Sequence, residues 1–130
     1  MFEYHGWITV RESAGAGHDD CETDRLREIV EGIQGRIREI NSPYLLDLRW
    51  MNGEPLLHLG GSSNHRDRQI LRFFEEVGRR APGSYGLLHV RDDEHTGREN
   101  EVLVLRLVRG KVTEHAEPLE SKDTKLCRSS

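Results

Sequence analysis

Hydrophobic and polar positions alternate from the start of the chain. Phe2, Tyr4, Gly6, Ile8 and Val10 share one parity; Glu3, His5, Trp7, Thr9 and Arg11 share the other. A period of two is the pattern of a strand with one buried face. Trp7 stands on the polar parity and has two readings: it packs under a loop or second layer, or it anchors a partner. After a small, glycine-bearing and acidic loop at 13–20 the period changes. Leu26, Ile29, Val30, Ile33, Ile37 and Ile40 recur at helical spacing and predict a helix over residues 23–40. Gly32 and Gly35 each weaken that helix by about 1 kcal/mol relative to alanine, an expense that close packing of the helix on a sheet would explain. Asn41-Ser42-Pro43 ends it.

Residues 44–51 and 55–59 read as two strands joined by Asn52-Gly53, the strongest hairpin signal in the chain. Pro55 places its end of the second strand at an edge or outside the ladder. A second helix is expected over residues 66–80, with the stripe Ile70, Phe73, Phe74 and Val77 and with Ser63 or Asn64 as N-cap. The chain leaves it through Pro82-Gly83, which cannot continue a helix. It then enters the apolar run Leu87-Leu88-His89-Val90, a central strand in which His89 reads as a core histidine. That run ends in three carboxylates, Asp92, Asp93 and Glu94, which must stay in water or meet cations. Residues 102–108 form an apolar strand, Arg109-Gly110 a turn, and residues 111–115 a short last strand. The order β-α-β-β-α-β-β-β predicts an α+β fold: a mostly antiparallel sheet with two helices on one face, the first six elements in ferredoxin-like order. Residues 1–116 read as a single domain and residues 117–130 as a polar, frayed tail.

At 130 residues the chain suits one domain. No apolar run is long enough to span a membrane, and the first residues lack the features of a signal peptide, so a cytoplasmic protein is expected. Cys21 and Cys127 then read as two free thiols. The formal net charge is −4, and its placement matters more than its size. Asp92, Asp93, Glu94, Glu99 and Glu101 against the single Arg98 leave −4 within residues 92–101, so the rest of the chain is neutral. This concentration argues against nucleic acid at that loop and for a basic partner or a cation, unless it is a well-solvated hairpin loop.

Candidate chemistry narrows the picture further. The seven histidines include no pair four residues apart on a helix and no His-Glu-x-x-His, so a metal site is not expected. There is no Gly-x-Ser-x-Gly and no cysteine in a catalytic context. Neighbouring carboxylates on a strand point to opposite faces, so Asp92 and Asp93 make a poor acid/base pair. Nothing calls for a cofactor. The junction at 60–66, with Ser62, Ser63, Asn64 and Arg66 ahead of a helix, is a candidate site for a phosphate or carboxylate. A small anion-binding module is therefore an alternative reading of the chain.

Specific residues resemble a known family. They are the opening Phe2-Glu3-Tyr4-His5-Gly6-Trp7-Ile8, the Trp50-x-Asn52-Gly53 turn, Asn64-His65-Arg66, the block Pro82-Gly83-Ser84-Tyr85-Gly86-Leu87-Leu88 through Arg91-Asp92-Asp93-Glu94, and the later Asn100 and Arg109-Gly110. Together they resemble the immunity protein 7 family of bacterial polymorphic toxin systems. In place of the family's expected Asp-Pro and Leu-Ser-Pro-like tail the chain has Glu117-Pro118-Leu119-Glu120-Ser121. The resemblance implies a non-catalytic α+β protein that binds and neutralises the C-terminal domain of a toxin encoded by a neighbouring gene. A nuclease toxin would present a basic active site, which the acidic loop would fill as a phosphate mimic. The candidate toxin-binding residues are Asp92, Asp93, Glu94, Glu99 and Glu101, with Trp7, Trp50 and Tyr85 as aromatic anchors.

Overall fold

The computed structural model describes residues 1–12, 24–93 and 101–118, with the side chains of 117 and 118 left aside. Its elements follow the expected order: β1 (Phe2–Thr9), α1 (Asp24–Ile40), β2 (Leu45–Met51), β3 (Glu54–Ser63), α2 (Arg68–Arg80), β4 (Tyr85–Asp92), β5 (Glu101–Val108) and β6 (Lys111–Pro118). The fold is α+β. Six strands form one sheet in the order β2-β3-β1-β4-β5-β6, and every neighbouring pair is antiparallel. The β2-β3-β1-β4 part has the ferredoxin-like arrangement expected of the first six elements. The β5–β6 hairpin widens the sheet at the β4 edge.

Pattern and turn chemistry account for most of this. Asn52-Gly53 and Arg109-Gly110 each place two consecutive residues at positive φ, the conformation of a two-residue hairpin turn that matches strand twist. Asn41, also at positive φ, donates its N–H to the Ile37 carbonyl and closes α1. Pro55 lies at the start of β3, an interior strand, one residue beyond the last β1–β3 pair, Thr9 with Leu56. Its carbonyl accepts from Val10 N–H on the β1 side, so the donor that proline lacks faces a place where the ladder has already ended.

Among the described residues, one face of the sheet is covered by helices. Phe2, Tyr4 and Ile8 of β1, Leu57 and Leu59 of β3, Leu88 and Val90 of β4, and Leu105 and Leu107 of β5 join Leu26, Ile29, Val30 and Ile33 of α1 and Ile70, Phe73, Phe74 and Val77 of α2 in a single core. Two glycines are needed within this layer. A Cβ on Gly86 would stand 2.2 Å from the Trp7 carbonyl oxygen, and one on Gly6 would stand 2.3 Å from that of Leu87. Both face the helices in the β1–β4 pair, where a side chain would force the strands to shift.

Three local expectations change. Gly32 and Gly35 do not pack on the sheet: Gly32 faces the Arg80 guanidinium of α2, and the nearest group to Gly35 is that of Arg38. The close helix–sheet approach is made by Gly78 of α2, where a Cβ would meet Leu107 at 2.6 Å. α2 begins at Arg68, later than expected, and its N-cap is Asp67, whose carboxylate accepts from Ile70 N–H at 3.2 Å. Residues 60–63, expected to lie in the junction after a strand ending at residue 59, continue β3 against β1. Cys21, Cys127 and the glycine-bearing loop near Gly15 lie outside the described residues.

Candidate functional site

Residues in register across adjacent strands share a face of the sheet. On the uncovered face, Leu56, Thr9, Tyr85, Val108 and Lys111 form one row across β3, β1, β4, β5 and β6. His58, Trp7, Leu87, Arg106 and Thr113 form the next. Trp7 meets Tyr85 edge to face, with ring centroids 6.0 Å apart. The Arg11 guanidinium lies 5.4 Å from the centre of the Tyr85 ring. Trp7 and Tyr85 stay 37% and 39% exposed, and Val108 beside Tyr85 is exposed as well. Among the described residues no second layer covers Trp7, and its neighbour is another exposed aromatic ring.

The block containing Tyr85 divides its work between fold and surface. Ser84 is fully buried and its hydroxyl oxygen accepts from Arg11 N–H at 3.0 Å, while Gly83 N–H donates to the Arg11 carbonyl. These bonds tie the end of β1 to the entrance of β4. Gly86 lets β1 and β4 approach. Tyr85, between them, points to the open face. Leu87, Val108, Arg11 and Arg106 were not singled out in the sequence. Leu87 sits in a run without alternation, and β5 is apolar at almost every position, so period two could not assign their faces.

Trp50 takes the opposite face. Its register partner is Pro55, on the parity of Leu48 and Leu57, so it cannot join a surface with Trp7 and Tyr85. His89 is also not in the core. It is exposed on the open face, opposite His5 of β1 and in register with Val104, which pairs with His115. That face thus holds His5, His58, His89 and His115. Among the described residues no group of three or more His, Cys, Asp or Glu is placed to hold a metal.

The acidic end of β4 is built into the protein. Asp92 is only 10% exposed and accepts from Arg66 Nη1 at 3.1 Å. Arg66 in turn lies over the Phe2 ring. Asp93 pairs with the N-terminal ammonium of Met1, whose hydrogen bond holds the Asp93 carboxyl below its ordinary value. Both carboxylates have thus found the cations that their sequence position demanded. Glu101 opens β5 and is half-buried. Glu94 and Glu99 lie outside the described residues, as do His95 and Arg98.

The junction after β3 is likewise occupied. Ser62 and Ser63 belong to the strand, and the Ser63 hydroxyl donates to the His65 carbonyl at 2.7 Å. Arg66 is engaged by Asp92, and the carboxylate of Asp67 already takes a free amide at the start of α2. An incoming anion would meet Asp67 where the helix amides should be. Nothing in this arrangement favours phosphate at Ser62, Ser63, Asn64 and Arg66. On the covered face, where the sheet extends past α2, a groove of about 320 Å³ lies between Arg68, Leu71 and Arg72 of α2 and Leu103, Leu105 and Glu114 of the terminal hairpin.

Compared with known proteins, residues 1–123 match the family described as immunity protein 7. No curated protein matches the chain. No solved structure matches it. No helix among the described residues is long and apolar enough to cross a membrane. The match takes in every described element of the fold, and the chain belongs to the immunity protein 7 family.

Proposed function

We propose that this chain is an immunity protein that neutralises its cognate toxin by direct binding, without catalysis, and that the toxin docks on the open face of the sheet around Trp7 and Tyr85. The observation that carries the reading is the pairing of family membership with an aromatic surface that no described element covers. Folding alone gives no reason to leave a tryptophan, a tyrosine and Val108 in water on adjacent strands. Exposed Trp, Tyr and Arg are the residues that most often dominate binding energy at protein interfaces.

The acidic strand end is the weaker docking candidate. Asp92 and Asp93 are spent on Arg66 and the N-terminus, and a toxin would have to displace those partners to use them. Trp50, on the other face, serves as an internal control. Protection of a cell calls for tight binding, on the order of nanomolar, over roughly 800 Å² per partner.

The test begins with the gene next to the one encoding this chain. Its product's C-terminal domain, expressed alone, should kill cells, and co-expression of this chain should rescue them with the two proteins co-purifying. Rescue without association, or association without rescue, would contradict inhibition by direct binding.

A further inference from the structure

The open face carries a charge pattern opposite to that of the whole chain. Glu117 lies on this face by register with Val102, and the acids there whose side chains are described are matched. Glu54 binds Arg11 at 3.1 Å, Asp47 binds Arg49 at 2.7 Å and Glu3 binds Arg91 at 3.5 Å. Asp93 is held by the N-terminus. Two cations on the same face have no ion-pair partner among the described residues: Arg106 of β5, in the Trp7 row, and Lys111 of β6, in the Tyr85 row. Each stands two strands away from its aromatic ring, a backbone separation of about 10 Å. Both are exposed. The apolar centre made by Leu56, Trp7, Leu87, Tyr85 and Val108 is thus flanked on its β5–β6 side by positive charge that no described side chain pairs, although the chain as a whole is −4.

From this asymmetry we infer that the toxin surface docking here is apolar at its centre and acidic where it meets β5 and β6, with carboxylates reaching Arg106 and Lys111. The inference rests on the immunity reading and specifies the chemistry of the partner. A basic surface would bring like charges together over Arg106 and Lys111, an arrangement that disfavours encounter and costs affinity. A neutral apolar surface would leave both cations desolvated at the rim without compensation. An acidic surface answers both, and its field would steer the encounter. The contact is therefore distinct in kind from an anionic plug in a basic active site. The toxin is held through a surface of its own that is negatively charged.

The experiment uses the full chain and the catalytically inactivated C-terminal domain of the neighbouring gene's product, with association and dissociation followed at low and high salt. The double variant Arg106→Glu, Lys111→Glu should slow association about tenfold at low salt, and the difference should shrink as ionic strength rises. Trp7→Ala should weaken affinity about thirtyfold, mainly through faster dissociation. Trp50→Ala should bind as the unmodified chain does. Hydrogen exchange on the unmodified complex, which needs no variant to fold, should show protection concentrated in β1, β4 and β5.

If Trp7→Ala weakens binding while the double charge reversal leaves association unchanged or faster, the docking face survives and the acidic partner is overturned. If Trp7 and the reversal are both silent while Arg68→Glu or Trp50→Ala weakens binding, the open face itself is overturned, although the protein is still an inhibitor. If no complex forms at micromolar concentration, the immunity reading fails and takes this inference with it.

Discussion

The two faces of β1 and β4 are made by the same sixteen residues, and only one of them is explained by folding. Toward the helices stand Phe2, Tyr4, Gly6 and Ile8, then Gly86, Leu88 and Val90, all buried. Each is there because a strand that buries one face needs apolar side chains, or glycine, at every second position. Toward solvent stand Glu3, His5 and Trp7, then Tyr85, Leu87, His89 and Arg91. Charged and imidazole side chains suit a wet face. The Trp7–Tyr85 pair does not follow from that logic. The difference teaches where to look for a binding function. On the proposed reading, function belongs to the large side chains that the core does not need.

Stability measurements should separate the faces most sharply. Phe74→Ala removes a fully buried ring from the core beneath the helices and should cost about 3–5 kcal/mol in urea unfolding. Trp7→Ser removes a larger ring from the open face and should cost about 1 kcal/mol, the scale of one aromatic pair. Comparable losses from both would mean that Trp7 is a structural residue, and the contrast between the faces would collapse.

Gly86→Ala adds only one methyl group, on the covered side, where it would meet the Trp7 carbonyl at 2.2 Å and Ile8 Cα at 2.8 Å. β1 and β4 must part to admit it, so a cost of about 1–3 kcal/mol is expected from the same unfolding measurement. Gly35→Ala, with nothing closer than a flexible guanidinium at 3.9 Å, should instead stabilise the helix by up to about 1 kcal/mol. An equal response at both glycines would remove the argument that the β1–β4 pair depends on close approach.

Asp92→Asn probes the boundary between the two regions. The carboxylate holds Arg66 against the Phe2 ring, so its loss should destabilise the fold by about 2 kcal/mol. Once folded, the variant should bind the toxin domain within about twofold of the unmodified chain, since single substitutions outside an interface leave affinity nearly unchanged. A variant that keeps full stability and loses binding would move the interface to the acidic strand end.

These contrasts also show what the sequence could and could not disclose. The alternation in residues 2–10, the Asn-Gly and Arg-Gly turns and the two helical stripes carried the element order and the sheet class, because those signals are local. The faces of β5 were not legible. Val102-Leu103-Val104-Leu105 is apolar on both parities, and only pairing with β4 shows that Arg106 stands beside Leu87. Trp7 and Trp50 looked equivalent as exposed aromatics, yet register puts them on opposite sides of the sheet. The carboxylates at the end of β4 were legible as a demand for cations. Their partners, Arg66 and the N-terminus, come from distant parts of the chain that only the fold brings close. Asp67 illustrates the same limit, since Ser62, Ser63 and Asn64 precede it and local chemistry alone does not choose among the four as the cap.

The smallest expected effect lies wholly on the helix side, far from the open face. Arg36 of α1 reaches Glu76 of α2 at 3.0 Å, and Arg80 reaches the same carboxylate at 2.8 Å. Burial is the largest single influence on the Glu76 carboxyl and raises its pKa, but hydrogen bonds from Arg80 and Arg36, with their charges, together outweigh it and hold the group below its ordinary value of 4.5. A carboxyl whose folded value is depressed stabilises the fold above the unfolded value and loses that contribution as pH falls through the folded one. The pair should therefore help at pH 7 and fade below about pH 4.5. With solvent screening the whole contribution is about 1 kcal/mol or less. Glu76→Gln should then unfold slightly more easily than the unmodified chain at pH 7, and the two should converge as pH is lowered. A gap that persists unchanged at acid pH would mean that Glu76 joins the helices by packing rather than by charge. If toxin affinity, measured in parallel, stays constant across the variant, the helix layer supports the sheet without touching the partner.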